Sequence, residues 1–141
     1  MKEHKFTLAG AWEGGLAGKG RITCGQLSVP VSVPEGLGGP GVGTNPEELL
    51  GAAHAGCFSM AFSGQLGAAG LTADRIATEA TVSLEKTDSG FAITAVHLVM
   101  TAKVPGATQQ QFETAANNAK AGCPVSKLFN TKITLDAKLE Q

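Results

Sequence analysis

At 141 residues, 43% of them hydrophobic and 16% charged, the chain fits one ordinary globular domain, residues 1–141, and is excluded from the disordered, collagenous and repeat classes. A formal net charge of -1 with no lysine or arginine cluster removes the electrostatic footprint that nucleic-acid binding requires. No apolar run approaches the roughly 20 residues of a membrane span, and Met1-Lys2-Glu3-His4-Lys5 is too charged for an export signal. A cytoplasmic protein with neither nucleic-acid nor membrane partners is expected.

From Phe6 to Val33 the pattern predicts two or three short strands, clearest over Gln26 to Val33, where Leu27, Val29, Val31 and Val33 share a face. Pro34 to Thr44 follows as a loop rich in glycine and proline, placed to form a wall or lid of a site. Asn45 as N-cap, Pro46 at the first helical position and Glu48 as capping-box partner then start a helix expected to run to about Leu66. Nearly every residue between Leu49 and Phe62 is apolar or small, the pattern of a helix buried all round. Ile76 to Leu84 and Phe91 to Lys103 read as strands joined at Asp88-Ser89-Gly90. Thr108 to Lys120 is predicted helical, with Gly122 as its stop, and Lys132 to Leu139 alternates as a strand. Strands, helix, hairpin, helix, strand is an α+β order.

Three cysteines in a chain expected in a reducing compartment point to reactive thiols rather than a structural disulfide framework. Cys57 lies mid-helix in Ala52-Ala53-His54-Ala55-Gly56-Cys57-Phe58-Ser59-Met60, where a bland reading is a core filler. Cys123, in Gly122-Cys123-Pro124-Val125-Ser126, precedes a proline suited to begin a new turn, so backbone N–H groups would favour its thiolate. Cys24 sits in a strand with no chemical role. His54 and Cys57, three apart on one helical face with Cys123 as a third donor, raise zinc as an option, but a fourth ligand is missing and no metal is expected. His54 could instead act as a base bonded to Cys57, against the simpler role of a satisfied core histidine.

A reactive sulfur needs a cation beside it, and the chain has only Arg21 and Arg75; Arg21 in the N-terminal strands, with Lys19 as its rival, is the candidate. Glu47 or Glu48 could hold such an arginine, although acidic residues in a first helical turn are favoured by the dipole without any chemistry. Ten residues of straight helix put Glu47 about 15 Å from Cys57. Either the helix breaks between them or the carboxylate comes from a second copy, whose helix could approach closely over Gly51, Ala52, Ala55 and Gly56.

Taken together, Thr44-Asn45-Pro46-Glu47-Glu48-Leu49-Leu50, the Cys57 motif, Gly90-Phe91-Ala92-Ile93-Thr94 and Ala119-Lys120-Ala121-Gly122-Cys123-Pro124-Val125-Ser126 make the chain resemble the osmotically inducible protein C and organic hydroperoxide resistance family of peroxidases over essentially its whole length. Its loop from Val31 to Gly41 resembles the organic hydroperoxide resistance branch, and both cysteine motifs resemble the osmotically inducible branch. The resemblance implies an intertwined homodimer with two buried central helices packed between antiparallel β-sheets. It further implies active sites at the subunit interface, with Cys57 as peroxidatic thiol, Cys123 as resolving thiol, Glu47 as the family glutamate and Arg21 as the arginine.

The expected chemistry is reduction of organic hydroperoxides, in oxidative or osmotic stress defence. Cys57 thiolate takes one peroxide oxygen and becomes sulfenic acid, Cys123 condenses with it to a disulfide, and a dithiol reductant, such as a lipoylated protein, restores both thiols. No cofactor is needed. Phe58, Met60 and Phe62 near the nucleophile would favour bulky peroxides over hydrogen peroxide. The competing expectation is a redox-responsive binding protein that uses the same disulfide as a switch.

Overall fold

A computed structural model describes residues 2–141, and the chain divides into two compact units, one reaching to Leu49 and the other spanning Leu50–Gln141. In the first, β1 (Ala9–Glu13), β2 (Lys19–Cys24) and β3 (Leu27–Val31) form an antiparallel meander with Trp12 opposite Gly20 and Arg21 opposite Pro30. A Cβ at Gly20 would lie 2.6 Å from the Trp12 ring, so only glycine lets the indole cross this strand.

The expected loop from Pro34 to Thr44 is more ordered than its composition suggests. It contains a 3-10 turn, Glu35–Leu37, and folds back on β3 through Ser32 N–H to Thr44 O (3.1 Å), Thr44 N–H to Pro30 O (2.9 Å) and Val42 N–H to Ser32 Oγ (2.7 Å). Gly43, at φ +80°, makes that return possible, because a Cβ there would sit 2.2 Å from the Pro30 carbonyl oxygen.

Helix α1 spans Pro46–Ala68 and starts where its caps predict, with Glu48 N–H donating to Asn45 Oδ1 at 2.9 Å. The reciprocal half of the expected capping box differs: the Glu48 carboxylate accepts from Thr44 Oγ1 at 2.7 Å instead of reaching back to the Asn45 N–H. A larger difference concerns burial. Only Gly51, His54, Phe58, Phe62 and Leu66 are buried, a single stripe at helical spacing, while Met60 is 76% exposed and Ala52, Ala53 and Gly56 face outward. Runs of alanine and glycine carry no sidedness, so the sequence read as buried all round while a single copy of the chain covers one face.

In the second unit β4 (Arg75–Thr87) and β5 (Gly90–Lys103) form the predicted hairpin, closed by Asp88 and Ser89, with Gly90 at φ 116°. Arg75 opens β4. Helices α2 (Gln109–Gly122) and α3 (Pro124–Leu128) carry the chain across to β6 (Lys132–Glu140), which pairs with β5 in parallel, so this sheet is mixed rather than purely antiparallel. A helical crossover is what a parallel neighbour requires.

One side of β5 presents Val96, Leu98, Met100 and Ala102 to the α1 stripe and to Phe112, Ala115, Ala116 and Ala119 of α2. Phe58 stacks near Phe62 at 6.2 Å, and Phe62 meets Phe112 edge to face at 5.5 Å. The expectation that Phe58 and Phe62 wall a peroxide pocket is therefore corrected: both rings are fully buried in the core. No helix among the described residues is long and apolar enough to cross a membrane.

Candidate active site

The second unit brings Cys57 and Cys123 together. Cys57 reaches the site from the middle of α1 and is half-buried; Cys123 reaches it from the corner between α2 and α3 and is fully buried. That corner is fixed by sequence. Pro124 cannot extend α2 and is preorganised for the first position of a new helix, and the residue before a proline favours extended backbone. Cys123 adopts φ -63°, ψ 135° and serves as C-cap of α2 and N-cap of α3 at once. Gly122 is simply the last residue of α2, so the stop expected of it belongs to Cys123-Pro124.

As N-cap, the Cys123 sulfur accepts the Ser126 N–H at 3.3 Å and lies 3.3 Å from Ser126 Oγ. Burial opposes ionisation of Cys123. The Ser126 hydroxyl and N–H, the Cys57 thiol and the Val125 N–H outweigh it, and hold the Cys123 pKa below the ordinary thiol value. Cys57 moves the other way. Burial pushes its thiol up, the Val125 N–H resists, and the neighbouring Cys123 adds to the rise. The two sulfurs are thus close enough for each to alter the other's ionisation, so the pair titrates as a unit.

His54 is not bonded to Cys57, as one expectation had it, nor is it a satisfied core residue. Its Nε2 lies 2.7 Å from Ser126 Oγ, its ring meets Phe129 edge to face at 5.4 Å, and its Nδ1 has no partner. Burial holds its pKa below 6.5, so it is neutral near pH 7. Ser126 is the member of this network that sequence reasoning missed; its position three residues after an N-cap cysteine was the available signal.

Arg21 and Glu47 belong to the first unit. On β2, Arg21 Nη1 donates to Ser28 Oγ at 2.9 Å, and with Lys19, Glu13 and Val42 it lines a cleft of about 440 Å³. Glu47 is half-buried in a second cleft of about 460 Å³ whose other walls include Trp12, Leu16, Val31, Val33 and Pro46. This volume and apolar lining suit a small organic molecule. Helix α1 does not break between Glu47 and Cys57, which removes the first of the two ways to bring that carboxylate to the sulfur. Cys24 ends β2 opposite Leu27 and has no part in either cluster.

The family model for OsmC-like proteins matches residues 38–138, a span that holds both thiols, Ser126, His54 and Glu47. The chain belongs to the OsmC-like family. It is 55% identical over 98 residues to the peroxiredoxin OsmC of Escherichia coli K12, an alignment covering 70% of this chain and 68% of that protein. Among solved structures it resembles an organic hydroperoxide resistance protein OsmC from Legionella pneumophila (TM-score 0.73, 26% identity, 99% of this chain and 100% of that one). It also resembles the organic hydroperoxide resistance protein OhrB of Bacillus subtilis (TM-score 0.67, 28% identity, 96% and 98%). The α+β fold expected from sequence is that of these relatives, and the chain is an oxidoreductase of the peroxidase type.

Proposed function

We propose that this OsmC-like peroxidase reduces organic hydroperoxides in the cytoplasm, as part of oxidative or osmotic stress defence, with Cys57 as nucleophile and Cys123 as resolving thiol. The observation that carries the reading is the pairing of two mutually perturbing thiols on separate elements of one unit, one partly exposed and one buried. Cys57 thiolate attacks a peroxide oxygen, the O–O bond breaks, an alcohol leaves, and the sulfur retains OH as sulfenic acid. Condensation with Cys123 then expels water and closes the disulfide. A dithiol, of the lipoylated-protein class, reduces it by exchange.

The surroundings of Cys57 raise its pKa, and none of the groups acting on it is a cation, so the activating cation is sought in the first unit. Arg21 is the proposed source, oriented by Glu47, and the Trp12–Leu16–Val31 cleft beside Glu47 is the proposed seat for the organic group. Since α1 is unbroken between Glu47 and Cys57, the carboxylate would come from a second copy of the chain in a homodimer. The uncovered face of α1, with Ala52, Ala53, Gly56 and Met60, is the natural place for its central contact. Both units would then serve one functional domain, as a family match running across their boundary suggests.

Steady-state consumption of an alkyl hydroperoxide with a dithiol tests this directly. Cys57→Ser should lose activity by about 10³-fold or more, whereas Cys123→Ser should still consume a single equivalent of peroxide per site and stop. Full turnover by Cys57→Ser, or hydrogen peroxide consumed as efficiently as the alkyl hydroperoxide, would count against the nucleophile and the apolar seat respectively.

A further inference from the structure

Cys123 has no exposed surface, 0%, yet a resolving thiol has to shed its proton before it attacks. Its sulfur lies 3.3 Å from Ser126 Oγ, and that oxygen lies 2.7 Å from His54 Nε2, so three buried groups form one continuous chain from sulfur to imidazole. The histidine is also energetically odd. A buried ring nitrogen without a partner is destabilising, and Nδ1 has none, where a leucine would fill the same space without that penalty. A role for the other nitrogen would account for placing such a group there.

We propose that Ser126 and His54 form a proton relay for the resolving half of the reaction, with Ser126 touching the reacting sulfur and His54 a positioning residue that acts through it. The inference rests on the two-thiol mechanism proposed above. In the resting thiol state, Cys123 S–H donates to Ser126 Oγ, and the Ser126 O–H donates to a neutral His54 Nε2. When Cys57 carries a sulfenic acid, the Cys123 proton passes to Oγ as the serine proton moves to Nε2. The thiolate attacks the Cys57 sulfur, an S–S bond forms, the S–O bond breaks, and its electron pair leaves with hydroxide. Hydroxide recovers the proton from the imidazolium through Ser126 and departs as water. Cys123 sulfur is oxidised, Cys57 sulfur is reduced, and both relay residues return to their starting state. Burial disfavours the charged imidazole, so the proton is lent rather than kept.

Single-turnover mass spectrometry with an alkyl hydroperoxide follows both halves, because sulfenic acid adds an oxygen to Cys57 and closure then removes water. In Ser126→Ala and His54→Leu, disulfide closure should slow by about tenfold to a hundredfold, at the low end of general acid–base effects, with sulfenic acid accumulating while its formation stays within about threefold of the parent rate. His54→Gln should recover part of the loss, and the double variant should be no slower than Ser126→Ala, since both act on one chain of bonds. Closure at the parent rate in Ser126→Ala overturns the relay even if His54→Leu does not fold. So does an equal fall in both steps, the mark of a merely structural role. Failure of the parent chain to form any Cys57–Cys123 disulfide would instead remove the two-thiol reading itself.

Discussion

The two units of this chain divide labour unevenly. The unit from Leu50 to Gln141 holds nearly all the buried apolar side chains and both site thiols, whereas the unit ending at Leu49 is a thin, mostly exposed three-stranded sheet that carries Arg21 and Glu47. Both thiols thus sit in the part that holds the core, and the charges proposed to activate them are carried by the part with little core of its own. The surroundings of Cys57 within its own unit favour its protonated form, which is why the proposed activation draws on Arg21.

The largest effect that should separate the units is on stability. Phe62→Ala removes a ring at the centre of the Phe58–Phe62–Phe112 cluster and should cost about 3–5 kcal/mol in denaturant unfolding, while Trp12→Ala, at a residue 45% exposed, should cost far less. Equal losses would mean that the first unit shares the core's cooperativity. Next comes activity without stability. Glu47→Gln and Arg21→Met should lower the rate of Cys57 oxidation by about tenfold to a hundredfold, as loss of an electrostatic partner does, with the unfolding midpoint unchanged. If Arg21→Met is silent and Lys19→Met is not, the activating cation is the lysine.

The smallest expected effect concerns pH and belongs to the second unit alone. His54 is held below 6.5 in the folded chain by burial, so folding favours its neutral form. That contribution is fully present above pH 6.5 and is lost as pH falls through the lowered folded value, because the unfolded chain then binds a proton that the folded chain refuses. The thermal midpoint should therefore drop on acidification below pH 6.5, and less steeply in His54→Leu than in the parent. Parallel curves would show that the histidine is not buried in solution.

What could be read from the sequence follows what local chemistry dictates. Asn45-Pro46 fixes a helix start wherever it lies, and Asp88-Ser89-Gly90 closes a hairpin whatever packs on it, so both were visible before any fold. The direction of β6 was not, since alternation over Lys132 to Leu139 is the same for a parallel and an antiparallel neighbour. Nor was the single buried stripe of α1, because alanine and glycine suit either face. In the site, the two cysteines stood out through their motifs, but the Ser126–His54 contact joins residues 72 apart and has no signature short of the fold that makes it.

The Cys123 corner also bears on how the enzyme would be reset. A disulfide between a half-buried Cys57 and a fully buried Cys123 offers an incoming thiolate only one accessible sulfur, that of Cys57. Attack there ejects Cys123, and the same Ser126 N–H and hydroxyl that hold its pKa down make it a good leaving group, since thiols of lower pKa leave faster. The reductant would therefore be carried transiently on Cys57, and a trapping variant that captures it should lack Cys123 rather than Cys57.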